Sequence, residues 1–350
     1  MKGRKIAIAC QGGGSQTAFT AGVLKCFLEN RLHERRQIVG LSGTSGGAVC
    51  ATLAWIALVK AAKEQGKPSV RGLVDFWKDN VTGNLYDQVL NDFLVIYLGL
   101  VDGGILPRWE ISPYAPYARA TASLITALAP KRSFYDFAQL LRTHIDFDEI
   151  ASWKKPPTPA LLIGAANVTQ GEFKKFSSRK GEIRVEALLA SAAVPTLFPA
   201  VEVGENVYWD GLFADNPPVD ELLDEEMVGP ENLPDELWVI QINPETRKGV
   251  PTTSQEIIDR RNEMIGNVSL YQDLSKIKLI NRLLKNGAFT EKFKAKYRPV
   301  EIQMIAMSPE LQERLDYASK LNRDAGFIHR LIKDGEQQAY DRLKQLDLLG

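Results

Sequence analysis

Short apolar runs alternate with longer helical patterns from the first residues onward. Residues 6–10 (IAIAC) are closed by Gln11 and three glycines, too early for a helix, and read as a strand. A helical pattern over Ala18–Glu29 follows, then a second run at 38–42 (IVGLS) and a helical pattern over about 47–63, uncharged over 48–59. Strand, helix, strand, helix is the opening of a parallel sheet covered on both faces. Further strand candidates fall at 160–166, 173–177, 201–203, 237–242 (LWVIQI) and 300–307 (VEIQMIAM), with helical stretches between most of them. Residues 65–158 read as a mostly helical insertion, punctuated by Pro107, Pro113, Pro116, Pro156 and Pro157. From about 309 to 350 the chain reads as a charged helical cover whose Leu311, Leu315, Leu321, Ile328 and Leu331 face inward at roughly helical spacing. The pattern predicts one α/β domain over 1–350.

Two uncharged stretches, 6–24 and 38–59, are long enough to suggest membrane spans, but each carries a Gly/Ser/Thr cluster where a spanning helix needs continuity. Both read as strand, glycine turn and buried helix. The most apolar short run, 93–101 (FLVIYLGLV), is too short to span a bilayer and reads as a core element.

Composition narrows the function. The 350 residues balance 43 basic against 43 acidic side chains, which removes the charge signature of a nucleic-acid partner. Cys10, Cys26 and Cys50 are too few for a disulfide framework, and with only three histidines no metal-ligand spacing appears, so neither a metal nor a cofactor is expected. A reducing, cytoplasmic setting is expected. Lys285, Lys292, Lys294, Lys296 and Arg298 read as a solvated helix face, and the acidic run 220–226 as the solvent-facing start of a helix.

Three features carry candidate chemistry. Gly43-Thr44-Ser45-Gly46-Gly47 matches G-x-S-x-G in a suitable context, after a strand and before an uncharged helix, so Ser45 is set for a sharp elbow flanked by Gly43 and Gly46. A bare match is also what a glycine turn packing a helix against a strand would give. Gly12-Gly13-Gly14 follows the first strand, where backbone N–H groups can point into a cavity and bind developing negative charge. Phosphate binding is the competing use. Thr17 stands where a dinucleotide fingerprint needs its third glycine, and neither cluster continues into Gly-Lys-Ser/Thr. Third, Tyr208-Trp209-Asp210-Gly211 places an aspartate at a strand end, able to accept a serine proton, with no histidine near it in sequence.

Together these features resemble the patatin-like phospholipase family, with landmarks from Lys5 to about Val219 and a similar segment from Ala190 through Asn216 and Pro217. The resemblance implies a three-layer α/β/α sandwich with a mainly parallel central sheet, here with the helical insertion and C-terminal cover. It implies Ser45 as nucleophile, Asp210 as the second member of a Ser-Asp dyad, and Gly12, Gly13 and Gly14 as the oxyanion hole. The implied reaction is hydrolysis of acyl esters in phospholipids or lysophospholipids, without a metal. Its partners are then a lipid or lysolipid and, transiently, a membrane surface, with oligomeric state open. An acyltransferase or thioesterase would use the same nucleophile, and a non-catalytic lipid-binding module would keep the same fold. The chain departs from the family at Gln16, where Arg or Lys is common, at Thr17, and at Leu212 after Asp210-Gly211. Apolar neighbours such as Trp209, Phe198 and Leu212 are expected to dehydrate Asp210 and raise its basicity. His33, His144 and His329 read as surface or structural residues, although Ser45, Asp210, His329 is formally a triad order.

Overall fold

Alternation along the first strand decides the architecture. In the computed structural model, which describes residues 3–81, 137–153, 158–195, 198–316 and 318–349, β1 is Lys5–Cys10. Its Ile6, Ile8 and Cys10 join one buried apolar cluster, while Ala7 and Ala9 join another. Successive strand side chains point to opposite faces, so β1 is covered from both sides, as parallel strands require. Strand β2 (Gln37–Thr44), β3 (Ala160–Asn167), β4 (Phe173–Ser177), β5 (Val201–Val203), β6 (Asn206–Asp210), β7 (Glu236–Gln241) and β8 (Glu301–Ala306) complete one sheet. The order is β5-β6-β3-β2-β1-β7-β8, with β4 also on β3. From β3 to β8 the neighbours run parallel, while β4 and β6 lie antiparallel to β3, and β5 antiparallel to β6.

Helices build the two outer layers. One face is covered by α1 (Ala18–Glu29), α2 (Gly46–Glu64), α3 (Arg71–Asp79), α4 (Phe137–His144) and α5 (Val185–Ser191). The other takes Leu270, Leu274 and Ile277 of the 32-residue helix α6 (Ser254–Lys285), together with Val219, Leu222 and Val228. The three-layer sandwich is therefore present. Helix α2 is long and apolar enough to cross a bilayer by composition, and it lies largely buried against the sheet.

Some expectations need adjustment. Helix α6 begins with a capping box, in which Thr253 and Glu256 satisfy each other's backbone N–H groups, a signal that the strand-centred reading passed over. The acidic run at 220–226 divides: Asp224, Glu225 and Glu226 are exposed at the start of a short helix, as expected, whereas Leu222 is fully buried and Asp220 and Glu221 pair with Lys276 and Lys175. In the basic stretch, Lys294 pairs with Glu291 on a short helix. Most of the insertion expected over 65–158, including the run 93–101, lies outside the described residues; its described ends form α3, α4 and a short helix at Phe147–Ser152. Pro107, Pro113, Pro116, Pro156 and Pro157 lie outside them as well.

The C-terminal cover is interrupted rather than continuous: a short turn of helix at Pro309–Gln312 precedes α7 (Ala325–Gln345). Helix α7 lies on α1 at a backbone separation that glycine alone permits. A Cβ on Gly335 would stand 2.1 Å from the Phe19 carbonyl oxygen, and one on Gly22 would stand 2.0 Å from that of Ile332. Gly335→Ala gains about 1 kcal/mol of helix propensity but forces two helices apart, and overpacking costs about 1–3 kcal/mol. The variant should therefore unfold at a lower urea concentration than the native chain, and an unchanged or higher midpoint would show that the two helices do not meet this closely.

Candidate functional site

Ser45 occupies the single residue between β2 and α2, with φ 55° and ψ −131°. A positive φ in a residue with a side chain costs about 1–3 kcal/mol and persists only where its surroundings dictate it. Here Ser191 Oγ accepts from the Ser45 N–H at 2.9 Å and donates to the Gly164 carbonyl at 2.7 Å, tying the elbow to β3. Thr44 Oγ1 donates to the Asp215 carbonyl at 2.7 Å, and the Ser45 carbonyl accepts the Ala48 N–H that starts the helix. Gly43 and Gly46 flank the elbow as expected; a Cβ on Gly43 would stand 2.5 Å from the Gly47 carbonyl oxygen, one on Gly46 2.1 Å from Thr17 Oγ1.

Asp210 reaches Ser45 through the edge of a third strand. A strand has two edges, and β4 occupies one edge of β3 continuously from Leu162 to Ala166. The other edge is shared end to end: Thr44 of β2 pairs with Gly164, and Asp210 of β6 pairs with the next residue, Ala165. Because β6 runs antiparallel, its last residue arrives where β2 ends. Asp210 is 1% exposed, its Oδ1 accepts the Leu212 N–H at 2.8 Å, and its own N–H donates to the Ala193 carbonyl. Oδ2 has no hydrogen-bond partner of regular geometry among the described residues, although the Ser45 hydroxyl interacts with the carboxyl strongly enough to lower its pKa. Burial dominates and pushes this carboxyl from 3.8 up to about 7, against the opposing pull of Ser45, the Leu212 N–H and the Lys320 ammonium. Leu212 is itself buried, whereas Trp209 is the preceding strand residue and points to the opposite face from Asp210. Phe198 is half-buried, and Thr196 and Leu197 lie outside the described residues.

The glycine loop lies against the elbow. A Cβ on Gly12 would stand 3.0 Å from Ser45 Cβ and 2.6 Å from the Thr44 carbonyl oxygen. Its N–H, however, donates to Asn216 Oδ1 at 2.6 Å. Gly12 is thus committed to Asn216, whereas Gly13 and Gly14 donate to no acceptor among the described residues. Gly14 has φ 56°, which orients its backbone at the start of a short helical turn, Gly14–Thr17. The Gln16 side chain is committed to the C-terminal part of the chain. It is 4% exposed, and its Nε2 donates to the Asp316 carbonyl at 3.0 Å and to Ser319 Oγ at 2.8 Å.

Residues that the motifs did not single out hold this arrangement. Gln11 accepts from the Ile242 and Asn243 N–H groups and donates to Asn267 Oδ1, joining β1, β7 and α6 beneath the loop. Ser191 and Asn216 fall in the segment similar to the family's, but nothing in their residue types marks them. Asp215 is also pushed up to about 7 by burial; its carboxylate pairs with Lys175 at 3.1 Å. His144 pairs with Asp79 and packs on Phe76, and neither His33 nor His329 interacts with Ser45 or Asp210. Among the described residues no three His, Cys, Asp or Glu side chains gather as a metal site.

The family model described as Patatin-like phospholipase matches residues 8–223 of the 350. No curated protein matches the chain. Among solved structures it is similar to VipD from Legionella pneumophila, at 14% identity and a TM-score of 0.37, covering 99% of this chain and 67% of that one. It is also similar to a chain of the heterodimeric ExoU–SpcU complex from the type III secretion system of Pseudomonas aeruginosa, at 16% identity and a TM-score of 0.31, covering 98% of this chain and 52% of that one.

The raised pKa of Asp210 has a consequence for stability. Its native value of about 7 lies above the unfolded value near 3.8, so its stabilising contribution is complete below pH 3.8 and is lost as pH rises through 7. Asp210→Asn stays neutral throughout and keeps an acceptor for the Leu212 N–H. Relative to the native chain it should gain on the order of 2 kcal/mol between pH 5 and pH 8. Urea denaturation of both proteins at the two pH values checks this, and a difference that does not change with pH would mean that Asp210 is ionised in the fold at pH 5.

Proposed function

The chain belongs to the patatin-like phospholipase family, and from that premise we propose that it is a serine-dependent lipid acyl hydrolase working through Ser45 and Asp210. The family supports lipid ester hydrolysis as the general activity. What supports the finer reading is the buried Asp210 carboxyl, held against the Ser45 hydroxyl at the end of β2 and raised to about 7.

An aspartate at its ordinary pKa is a poor base for a serine hydroxyl. Dehydration makes Asp210 a better one, and at pH values above 7 it is ionised and ready to accept the proton. In this reading Ser45 Oγ attacks the ester carbonyl carbon while its proton passes to Asp210. The Gly13 and Gly14 N–H groups hold the resulting oxyanion, assisted by the N-terminus of α2, whose dipole favours negative charge. When the tetrahedral intermediate collapses, protonated Asp210 returns its proton to the departing alcohol, leaving an acyl group on Ser45. Water then repeats the sequence with Asp210 again as base, releasing the fatty acid. Phospholipids or lysophospholipids are the proposed substrates, met at a membrane surface. An alcohol or thiol in place of water would make the same first half a transferase.

Ser45→Ala should abolish both hydrolysis of phospholipid and lysophospholipid vesicles and labelling by a fluorophosphonate, while melting like the native chain. Asp210→Asn should lower turnover at least about a hundredfold, because an amide accepts no proton at neutral pH. Product analysis by mass spectrometry gives both numbers. Near-native turnover in Ser45→Ala would remove the nucleophile from this account, and a loss under about tenfold in Asp210→Asn would remove the base.

A further inference from the structure

The chain between β8 and α7 returns to the glycine loop and lays a lysine on it. The short turn Ala318–Leu321 packs so closely that a Cβ on Gly14 would stand 2.2 Å from the Lys320 carbonyl oxygen. Gln16 fastens this turn through its bonds to the Asp316 carbonyl and Ser319 Oγ, and Ser319 is itself closed onto Asp316, its N–H donating to Asp316 Oδ1 at 2.7 Å. Arg247 fastens the approach, donating to the Gln312 carbonyl at 2.6 Å and the Leu315 carbonyl at 3.0 Å. The ammonium end donates to Asn243 Oδ1 at 2.9 Å, just beyond β7, where the Asn243 N–H is bound by Gln11. A residue whose backbone packs on Gly14, whose neighbours are hydrogen-bonded and whose ammonium is bonded is held in place from three directions.

The charges facing that ammonium are Glu263, Asp210 and Asp259, in decreasing order of attraction. Glu263 also carries two guanidinium groups, those of Arg247 and Arg260. Asp210 is the carboxyl beside Ser45, and Lys320 is the cation whose field acts on it.

We propose that Lys320 supplies the positive charge of the acyl-transfer centre, holding the negative charge in place as it passes from the Asp210 carboxylate to the oxyanion at the glycine loop. The inference rests on the reading of Ser45 and Asp210 given above. In the attack step one negative charge is conserved: Asp210 is neutralised by the Ser45 proton as the former carbonyl oxygen becomes anionic. A fixed cation whose field reaches Asp210, carried by a turn that packs on the glycine loop, favours the charge at both stages and needs no reorganisation as it moves. Burial lowers the Lys320 ammonium to about 8, so the cation is present at neutral pH and is lost on the alkaline side.

The test follows hydrolysis of a soluble short-chain ester and fluorophosphonate labelling of Ser45 across pH 5 to 10 in the native chain, Lys320→Met and Lys320→Arg. The native profile should rise through about 7 and fall again near 8. Lys320→Met should lower kcat at least about tenfold with little change in KM, shift the acid limb upward because Asp210 loses a cation, and lack the alkaline limb. Lys320→Arg should restore most of kcat and move the alkaline limb beyond the range measured. A Lys320→Met variant with native kcat and an unmoved acid limb overturns the charge assignment, as does an arginine variant no better than methionine. If Lys320→Met does not fold, the native profile and Lys320→Arg decide: a native alkaline limb that does not move in the arginine variant overturns it. A native chain that is never labelled at Ser45 overturns the acyl-transfer reading itself and this assignment with it.

Discussion

One edge of β3 governs the site. It pairs with β2 as far as Gly164 and with β6 from Ala165 onward, so two strands that approach from opposite directions end against each other. The end of β2 leads into Ser45, and the end of β6 is Asp210. The pairing needs Ser191 on α5, whose hydroxyl spans the Gly164 carbonyl and the Ser45 N–H at the junction. It also needs Gly12, because any side chain there would meet the Thr44 carbonyl and Ser45 Cβ. The backbone hydrogen-bond ladder thus places two side chains from residues 165 positions apart without requiring them to bind each other.

The same arrangement makes the carboxyl unusual. Placing Asp210 at a strand junction, with 1% exposure, removes the water that an aspartate ordinarily keeps. Desolvation disfavours its ionised form and outweighs three interactions that favour it. Asp215, only five residues on and equally raised, shows that burial alone does not assign a role: it pairs with Lys175, and the charged groups acting on it are Lys175, Glu221 and Asp273. Position on the β3 edge separates the two. Stability is lost to keep Asp210 in this setting, as it is to keep Ser45 at positive φ, and both losses occur where two chain ends of the sheet converge.

Much of this was legible along the chain. The alternation of Ile6, Ala7, Ile8 and Ala9 distinguishes two faces, and both are covered. Each glycine turn alone fitted packing or phosphate binding as well, and it was the company of Gly12–Gly14, Ser45 and Asp210 beside predicted strands, with the family resemblance, that singled out these three places. Three things were beyond that reading. That Gly12 spends its N–H on Asn216 depends on a side-chain contact across 204 positions, which no local pattern encodes. Gln16 looked like a lost cation, whereas its amide is a tether to a segment 300 residues away. Lys320 lies in a charged stretch like many others and becomes distinct only when the turn that carries it is seen on Gly14.

The central claim is that Asp210 is a dehydrated carboxyl that ionises near neutrality beside Ser45. Carbon-13 NMR of side-chain aspartate carboxyls, titrated from pH 4 to 9 and assigned by the resonance missing in Asp210→Asn, observes this directly. The account predicts a midpoint for Asp210 of about 7 in the folded chain. A midpoint near the ordinary 3.8 would show a carboxylate already charged and solvated, and the geometry at the end of β2 would then have no proton acceptor of the required strength.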